Sequence, residues 1–212
     1  MAELVTQEGS AYDVNIDVFN QLQHTISGWP GGKPDADDTN RPERKDPRSK
    51  RVLVLSPEPH DAVVSMGGTI ERLLDQGHQV TVICQTSGNL RVADASAQTF
   101  AGVLAELSQR DFPWDEQKGY ASGILDQITE KGPFGIEPAG LRRLKGLILR
   151  GEARDSYAAC ELEEGSLQFL DRPFYEEGRY RRFKLTDADV DAMEKVLDEI
   201  KPHQIFATGH VA

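Results

Sequence analysis

Long apolar runs are absent from the 212-residue chain, and Met1-Ala-Glu-Leu-Val-Thr6 has neither the basic start nor the apolar core of a secretory signal. These absences argue against a membrane span and point to the cytoplasm. Cysteine is scarce: Cys84 and Cys160 stand alone with no C-x-x-C spacing, so they read as buried thiols and no disulfide is expected. Basic residues are the minority, 24 against 35 acidic ones, and a net charge of -11 would repel a phosphate backbone, which argues against nucleic acid as a partner. Internal repeats are missing too. With 38% hydrophobic and 28% charged residues, the composition is that of a globular α/β chain long enough for one sizeable core.

Aliphatic and β-branched runs at Arg51-Val-Leu-Val-Leu55 and Val80-Thr-Val-Ile-Cys84 predict two buried strands. Between them Ile70, Leu73 and Leu74 mark a helix that stops at Gly77, which completes a β-α-β unit. Further on, a helix is expected from Ala93 to Leu107 with Asp94 near its cap and Asp111-Phe-Pro-Trp114 as its exit. A shorter segment begins over Ile124 to Ile128, and a long helix runs from Leu141 to Ala159 after Pro138-Ala-Gly140. A third strand ends near Leu170. Thr186, with Asp189 as its capping-box partner, starts a last helix that reaches Ile200 with Val190, Met193, Val196, Leu197 and Ile200 inward. Such alternation predicts an α/β fold, a three-layer Rossmann-like domain with a mainly parallel sheet and helices on both faces. Ahead of it, Val14, Ile16, Val18, Phe19, Leu22 and Ile26 suit an amphipathic helix, and the stretch from Gly28 to Lys50 is rich in Gly, Pro and charge. The expected organisation is a helical leader over 1–27, an extended arm over 28–50 and the α/β domain over 51–212.

The chemistry concentrates at Ser56-Pro57-Glu58-Pro59-His60-Asp61, a turn at the carboxyl end of the first strand, where open α/β sheets bind their ligands. Carboxylate and imidazole side chains so close together suit a metal or acid/base site. Ser87-Gly88-Asn89 follows the second strand, and Gly88, without a Cβ, lets the backbone approach a ligand. Asp171 ends the third strand and would face the same edge.

The chain resembles the PIG-L/LmbE-like de-N-acetylases, metal-dependent hydrolases of N-acetyl amino sugars. The closest likeness is to the branch fused behind glucosamine-6-phosphate deaminase domains. The resemblance is carried by Ile26-Ser-Gly-Trp-Pro-Gly-Gly32, Asn40-Arg-Pro-Glu-Arg44, Met66-Gly-Gly-Thr69, Gln85-Thr-Ser-Gly-Asn89, Arg150-Gly-Glu-Ala153, Phe169-Leu-Asp171, Pro173-Phe-Tyr175 and Lys201-Pro-His-Gln-Ile205. The hallmark His-Pro-Asp-Asp is altered. Glu58 stands where the family has a metal-binding His, His60 where it has the Asp that acts as general base, and Asp61 where it has the second ligand; only Asp61 is retained, and Ala62 replaces a further acid.

The resemblance implies a metal-bound water attacking an acetamide carbonyl, with His60 as base and Glu58 and Asp61 as metal ligands. The third family ligand is a His beyond the strand at Gln204-Ile-Phe-Ala-Thr208, and His210 is the candidate for it here. Zinc is the metal the resemblance names; two carboxylates and water would suit a weak hard-cation site better. Arg150 and Glu152 match a family pair near the site, and with Ser87, Gly88, Asn89 and Asp171 they are the candidate substrate contacts. Two readings stand open. One is a deacetylase acting on an N-acetylated amino sugar or its phosphate, with a weakened or lost metal site; the other is a non-catalytic sugar-binding or oligomerisation domain attached to a glucosamine-6-phosphate deaminase-type protein. Under either reading the metal is expected to be weakly held or absent, and the α/β domain is expected to be cut short at its C-terminus. A homo-oligomer is compatible with both.

Overall fold

A computed structural model describes residues 10–22, 49–110, 115–132, 135–173 and 184–208. Its elements in chain order are α1 (Ala11–Leu22), β1 (Arg51–Ser56), α2 (Asp61–Asp75), β2 (Gln79–Cys84) and a 3-10 turn over Asn89–Arg91. There follow α3 (Asp94–Arg110), α4 (Asp115–Lys131), α5 (Ala139–Ala159), a 3-10 turn over Glu164–Ser166, β3 (Leu167–Phe169), α6 (Asp187–Ile200) and β4 (Gln204–Phe206). The four described strands form one sheet in the order β3-β2-β1-β4, every pairing parallel, with Val52 opposite Val80 on one side and Gln204 on the other. The three-layer α/β expectation is met.

Alternation along β1 explains why both sheet faces are covered. Val52 and Val54 point to one face, where with Val80, Val82 and Cys84 they pack against Ala62, Ile70 and Leu73 of α2 and Ala153 and Tyr157 of α5. Leu53 and Ile83 point to the other, against Val196, Met193, Leu197 and Ile200 of α6. Both strands are therefore apolar almost throughout, as parallel strands with two buried faces must be. Each such Val, Leu or Ile contributes about 1.5–3 kcal/mol by leaving water.

The helix ends follow local rules. Gly77, at φ +73°, takes the left-handed position just past the α2 cap Gln76, and its N–H donates to the Leu74 carbonyl at 2.8 Å. At the start of α6 the Asp189 carboxylate accepts the Thr186 backbone N–H at 2.8 Å and its hydroxyl at 2.7 Å. Arg172, just past β3, adds an ion pair of 3.1 Å to Asp189 and donates to the Ala188 carbonyl at 3.1 Å, so the exit of β3 is tied to the head of α6.

Two segments differ from the reading of the sequence. The segment expected to begin at Ile124 is a 17-residue helix, α4, whose Ala121 and Ile124 are buried. Gly119, Gly123 and a dilute apolar pattern hid it, and packing supplies what propensity does not: Ile124, Leu125 and Ile128 join a second core with Ala97 and Ala101 of α3 and Leu141, Leu144 and Ile148 of α5. That helical layer carries a partly buried ionic cluster. Lys145 Nζ lies 2.7 Å from Asp94 and also pairs with Glu137, and Lys131 Nζ lies 2.8 Å from the other Asp94 oxygen. Burial alone would raise the Asp94 carboxyl, but the two lysines hold it below the ordinary carboxylate value. The second difference is in degree: Cys160 caps α5 half-buried rather than buried, and both cysteines are free thiols. In α1, Tyr12 and Val18 are exposed, while Ile26, the Gly28 to Arg48 part of the arm and Asp111-Phe-Pro-Trp114 lie outside the described residues.

Where α2 turns into β2, buried His78 accepts the Lys50 backbone N–H on Nδ1 at 3.1 Å. Burial, aided by the Lys50 charge, lowers its pKa. The folded chain thus resists a proton that the unfolded chain takes up near pH ~6.5, so this contribution to stability is complete above that pH and is lost as pH falls through the lower folded value. Chemical denaturation at pH 7.5 and 5.5 is expected to show lower stability in acid, and His78→Gln is expected to flatten the difference.

Candidate functional site

Sheet topology decides where a ligand can enter. The chain runs outward from β1 to β2 to β3, then returns to place β4 on the opposite side of β1, so the strand order reverses between β1 and β4. Open α/β sheets bind ligands in the crevice at the carboxyl ends beside such a reversal. A cavity of about 600 Å³ lies there, lined by Leu55, His60, Asp61 and Arg91 on one side and by Phe206 of β4 and Thr208 just past it on the other.

The Pro-rich turn is held rigidly above β1. Ser56 Oγ donates to the Glu58 carbonyl at 2.5 Å and accepts the Ala62 N–H at 3.0 Å, while Thr86 donates from both its N–H and its hydroxyl to the Pro57 carbonyl at 3.1 and 2.8 Å. His60 is the N-cap of α2 and Asp61 its first residue, which places the acidic side chain where the helix dipole favours a negative charge. Asp61 Oδ2 accepts the Glu58 N–H at 3.0 Å. Beside it, Arg91 reaches across both carboxylates, its Nε paired with Glu58 Oε2 and its Nη2 3.2 Å from Asp61 Oδ1. Burial raises the Glu58 carboxyl above its ordinary value, Arg91 pulls it back and the Asp61 charge raises it further.

Arg91 owes its place to Gly88. Gly88 adopts φ +65°, a left-handed conformation that L side chains rarely take, and starts the 3-10 turn in which the Arg91 N–H donates to the Gly88 carbonyl at 3.0 Å. A Cβ there would collide with Leu149 Cδ2 and lie 2.9 Å from Pro59 Cδ. Asn89, 2% exposed, accepts the Ser87 hydroxyl at 3.2 Å, and its Nδ2 has no hydrogen-bond partner among the described residues.

Farther along the carboxyl edge, Ser87, Arg142, Arg143, Gly146, Arg150 and Asp171 line a second cavity of about 440 Å³. Arg150 Nη2 pairs with Asp171, and its guanidinium stacks 4.5 Å from the centre of the Phe169 ring. Asp171, at φ +48°, is half-exposed. Glu152 lies on an exposed part of α5, outside both cavity linings. Cys84, beneath the turn, is no nucleophile, since burial pushes its thiol up to about 12.

The structure thus brings Glu58 and Asp61 together through Arg91, sets His60 with Asp61 in the crevice, and gathers Ser87, Arg150 and Asp171 beside the second cavity. His210 lies outside the described residues. Arg91, Arg142 and Arg143 were missed in the sequence. A basic side chain three residues past the glycine of the turn after β2 was the available signal for Arg91, because Glu58 and Asp61 call for a counter-charge.

Fold and site together define a parallel α/β domain with a ligand crevice at its carboxyl edge. The family model described as PIG-L: GlcNAc-PI de-N-acetylase matches residues 53–211, and the chain belongs to the PIG-L family. A glucosamine-6-phosphate deaminase-like protein of Bacteroides thetaiotaomicron is 45% identical over 217 aligned positions, which cover 100% of this chain and 32% of that protein. The chain therefore spans about a third of that relative's length. The diacetylchitobiose deacetylase of Thermococcus kodakarensis is 32% identical over 60 residues, 28% of this chain and 22% of that one. No solved structure gives a significant match.

Proteins of this family generally depend on a metal. The described residues do not fit one. Among them no three His, Cys, Asp or Glu side chains are grouped to hold an ion, and the Glu58 and Asp61 carboxylates are already engaged by Arg91. The Gly88 turn sets this geometry, so Gly88→Ala is expected to cost roughly 1–3 kcal/mol from the left-handed backbone alone. Collision with Leu149 adds to that, read as a lower denaturation midpoint at unchanged slope.

Proposed function

We propose that this chain is a PIG-L-type amino-sugar domain that binds an N-acetylated amino sugar or its phosphate at the carboxyl edge of the sheet, with amide hydrolysis weakened or lost. The observation that carries this reading is the crevice between β1 and β4, a cavity of about 600 Å³ with His60 and Asp61 in its wall. It is large enough for one sugar ring. Asp61 and His60 offer an acceptor and an imidazole to sugar hydroxyls or to an acetamide, and the apolar Leu55 and Phe206 suit the face of the ring. Membership of the PIG-L family and the partial likeness to a chitobiose deacetylase support the amino-sugar class.

A phosphate on the sugar is favoured by the second cavity. In a chain of net charge -11, a recess lined by Arg142, Arg143 and Arg150 is a local reversal of sign, and guanidinium groups fork well onto phosphate oxygens. Weakened hydrolysis follows from residue chemistry. Glu58 and His60 exchange the family's ligand and base positions, and a displacement of ~1 Å at a reacting group costs about a hundredfold in rate.

No helix among the described residues is long and apolar enough to cross a membrane, and an N-acetyl sugar is a water-soluble ligand. Isothermal titration calorimetry with N-acetylglucosamine and its 6-phosphate is the test, run beside an acetate-release assay with zinc or manganese supplied. Binding is expected for one or both sugars, tighter for the phosphate, with acetate release absent or about a hundredfold below that of an intact PIG-L deacetylase. Arg150→Ala is expected to weaken phosphosugar binding about tenfold. Absence of heat with either sugar would remove the binding reading, and full deacetylase turnover would restore the enzyme one.

A further inference from the structure

We infer that Arg91 is a built-in cation which takes the place of a divalent ion, so that the wild-type site excludes zinc and manganese. The inference rests on the preceding reading only for the location of the site. Glu58 and Asp61 occupy two of the family's metal-ligand positions, and a single guanidinium serves both, Nε toward Glu58 Oε2 and Nη2 toward Asp61 Oδ1 at 3.2 Å. Two N–H donors held in the fixed plane of one guanidinium are directed at two different carboxylates, so the side chain sets their spacing as well as neutralising their charge. Asp61 is engaged through both oxygens, because Oδ2 accepts the Glu58 N–H at 3.0 Å. A metal approaching this pair must either displace the guanidinium or share a small space with a positive charge.

The backbone holds Arg91 to this role. Its Cα sits in the turn that opens at left-handed Gly88, which is wedged between Pro59 of the same Pro-rich turn and Leu149 of α5. On either side Asn89 and Val92 are buried, at 2% and 8% exposure, so the turn cannot swing away as a loop would. The Arg91 side chain itself is 60% exposed. Screening by water makes its ion pairs weak in energy, so exclusion works by occupancy and charge rather than by an unbreakable lock. The substitution of Glu for the family's His at position 58 is consistent with this. A neutral imidazole binds a metal but brings no negative charge to a guanidinium, whereas a carboxylate forms an ion pair with either.

Removing the guanidinium leaves two adjacent carboxylates without their counter-charge, which is what a divalent cation seeks. The test titrates zinc chloride and manganese chloride into chelator-treated protein by isothermal titration calorimetry, with bound metal counted after gel filtration. Wild type is expected to show no saturable binding in the micromolar range. Arg91→Ala and Arg91→Gln are expected to bind one ion at least about tenfold more tightly than wild type. Adding Asp61→Asn to Arg91→Ala should abolish the gain, which assigns the new ion to this site rather than to the surface.

Equal binding by wild type and both Arg91 variants, whether strong or absent, would overturn the proposal, as would a gain that survives Asp61→Asn. Arg91→Gln keeps the length of the side chain, so a fold defect confined to the alanine variant does not blur the result. Sugar titrations on the same samples separate the two readings. Loss of sugar binding in wild type with a gain of metal in Arg91→Ala would remove the amino-sugar reading and leave Arg91's role standing.

Discussion

Gly88 meets Pro59 and Leu149 at the point where two crossover connections converge, and the site depends on that close approach. The turn above β1 and the turn above β2 each carry charged side chains, but only their packing brings the two sets within reach. A residue with a Cβ at position 88 would have to push either the Pro-rich turn or α5 outward. Because the Gly88 backbone is left-handed, the chain reverses into the 3-10 turn and returns Arg91 toward Glu58 and Asp61 instead of letting it run on along the edge of the sheet. One missing methyl group thus links the cores on both sides to the electrostatics of the crevice.

Above that contact the domain divides its labour between two kinds of burial. The sheet and the helices on its faces are held by aliphatic interdigitation, which is non-directional and tolerant of detail. The outer layer of α3, α4 and α5 combines a smaller apolar core with a partly buried ionic cluster of Lys145, Lys131, Asp94 and Glu137. Such a cluster adds little net stability, since desolvation offsets most of the attraction, but mispairing of these helices would strand a charge. The cluster ties α5 to the head of α3 and to Glu137, and α5 supplies both Leu149, which wedges Gly88, and Arg150, which stacks on Phe169.

Family membership and the state of the site pull in different directions, and physical chemistry reconciles them. The PIG-L family match spans most of the domain because a parallel sheet covered on both faces constrains dozens of positions to be apolar at fixed spacing. The chemistry of the site depends on very few side chains, and those can change without disturbing the core. Glu58 and His60 lie on a turn whose backbone is held by Ser56 and Thr86, so a change of side chain at either position can leave the fold intact while altering what the crevice presents.

The α/β class, the strands at 51–55 and 80–84, the capping box at Thr186 and Asp189 and the placing of Glu58, His60 and Asp61 at the carboxyl end of β1 were all legible in the linear sequence. Each follows from local periodicity or from a signal a few residues long. Helix α4 was not, since its glycines dilute the pattern and its burial comes from partners on other helices, α3 and α5. Nor were the grouping of Arg91 with Glu58 and Asp61, the convergence of Arg142, Arg143 and Arg150 on one recess, or the reversal of strand order between β1 and β4 that opens the crevice. Sequence by itself determined which residues carry charge, which bury and which family pattern they follow, because those are properties of single positions and short spacings. Tertiary structure alone decided which charges meet, because a guanidinium at position 91 and carboxylates at 58 and 61 belong to different crossovers and are joined only when Gly88 lets their backbones touch.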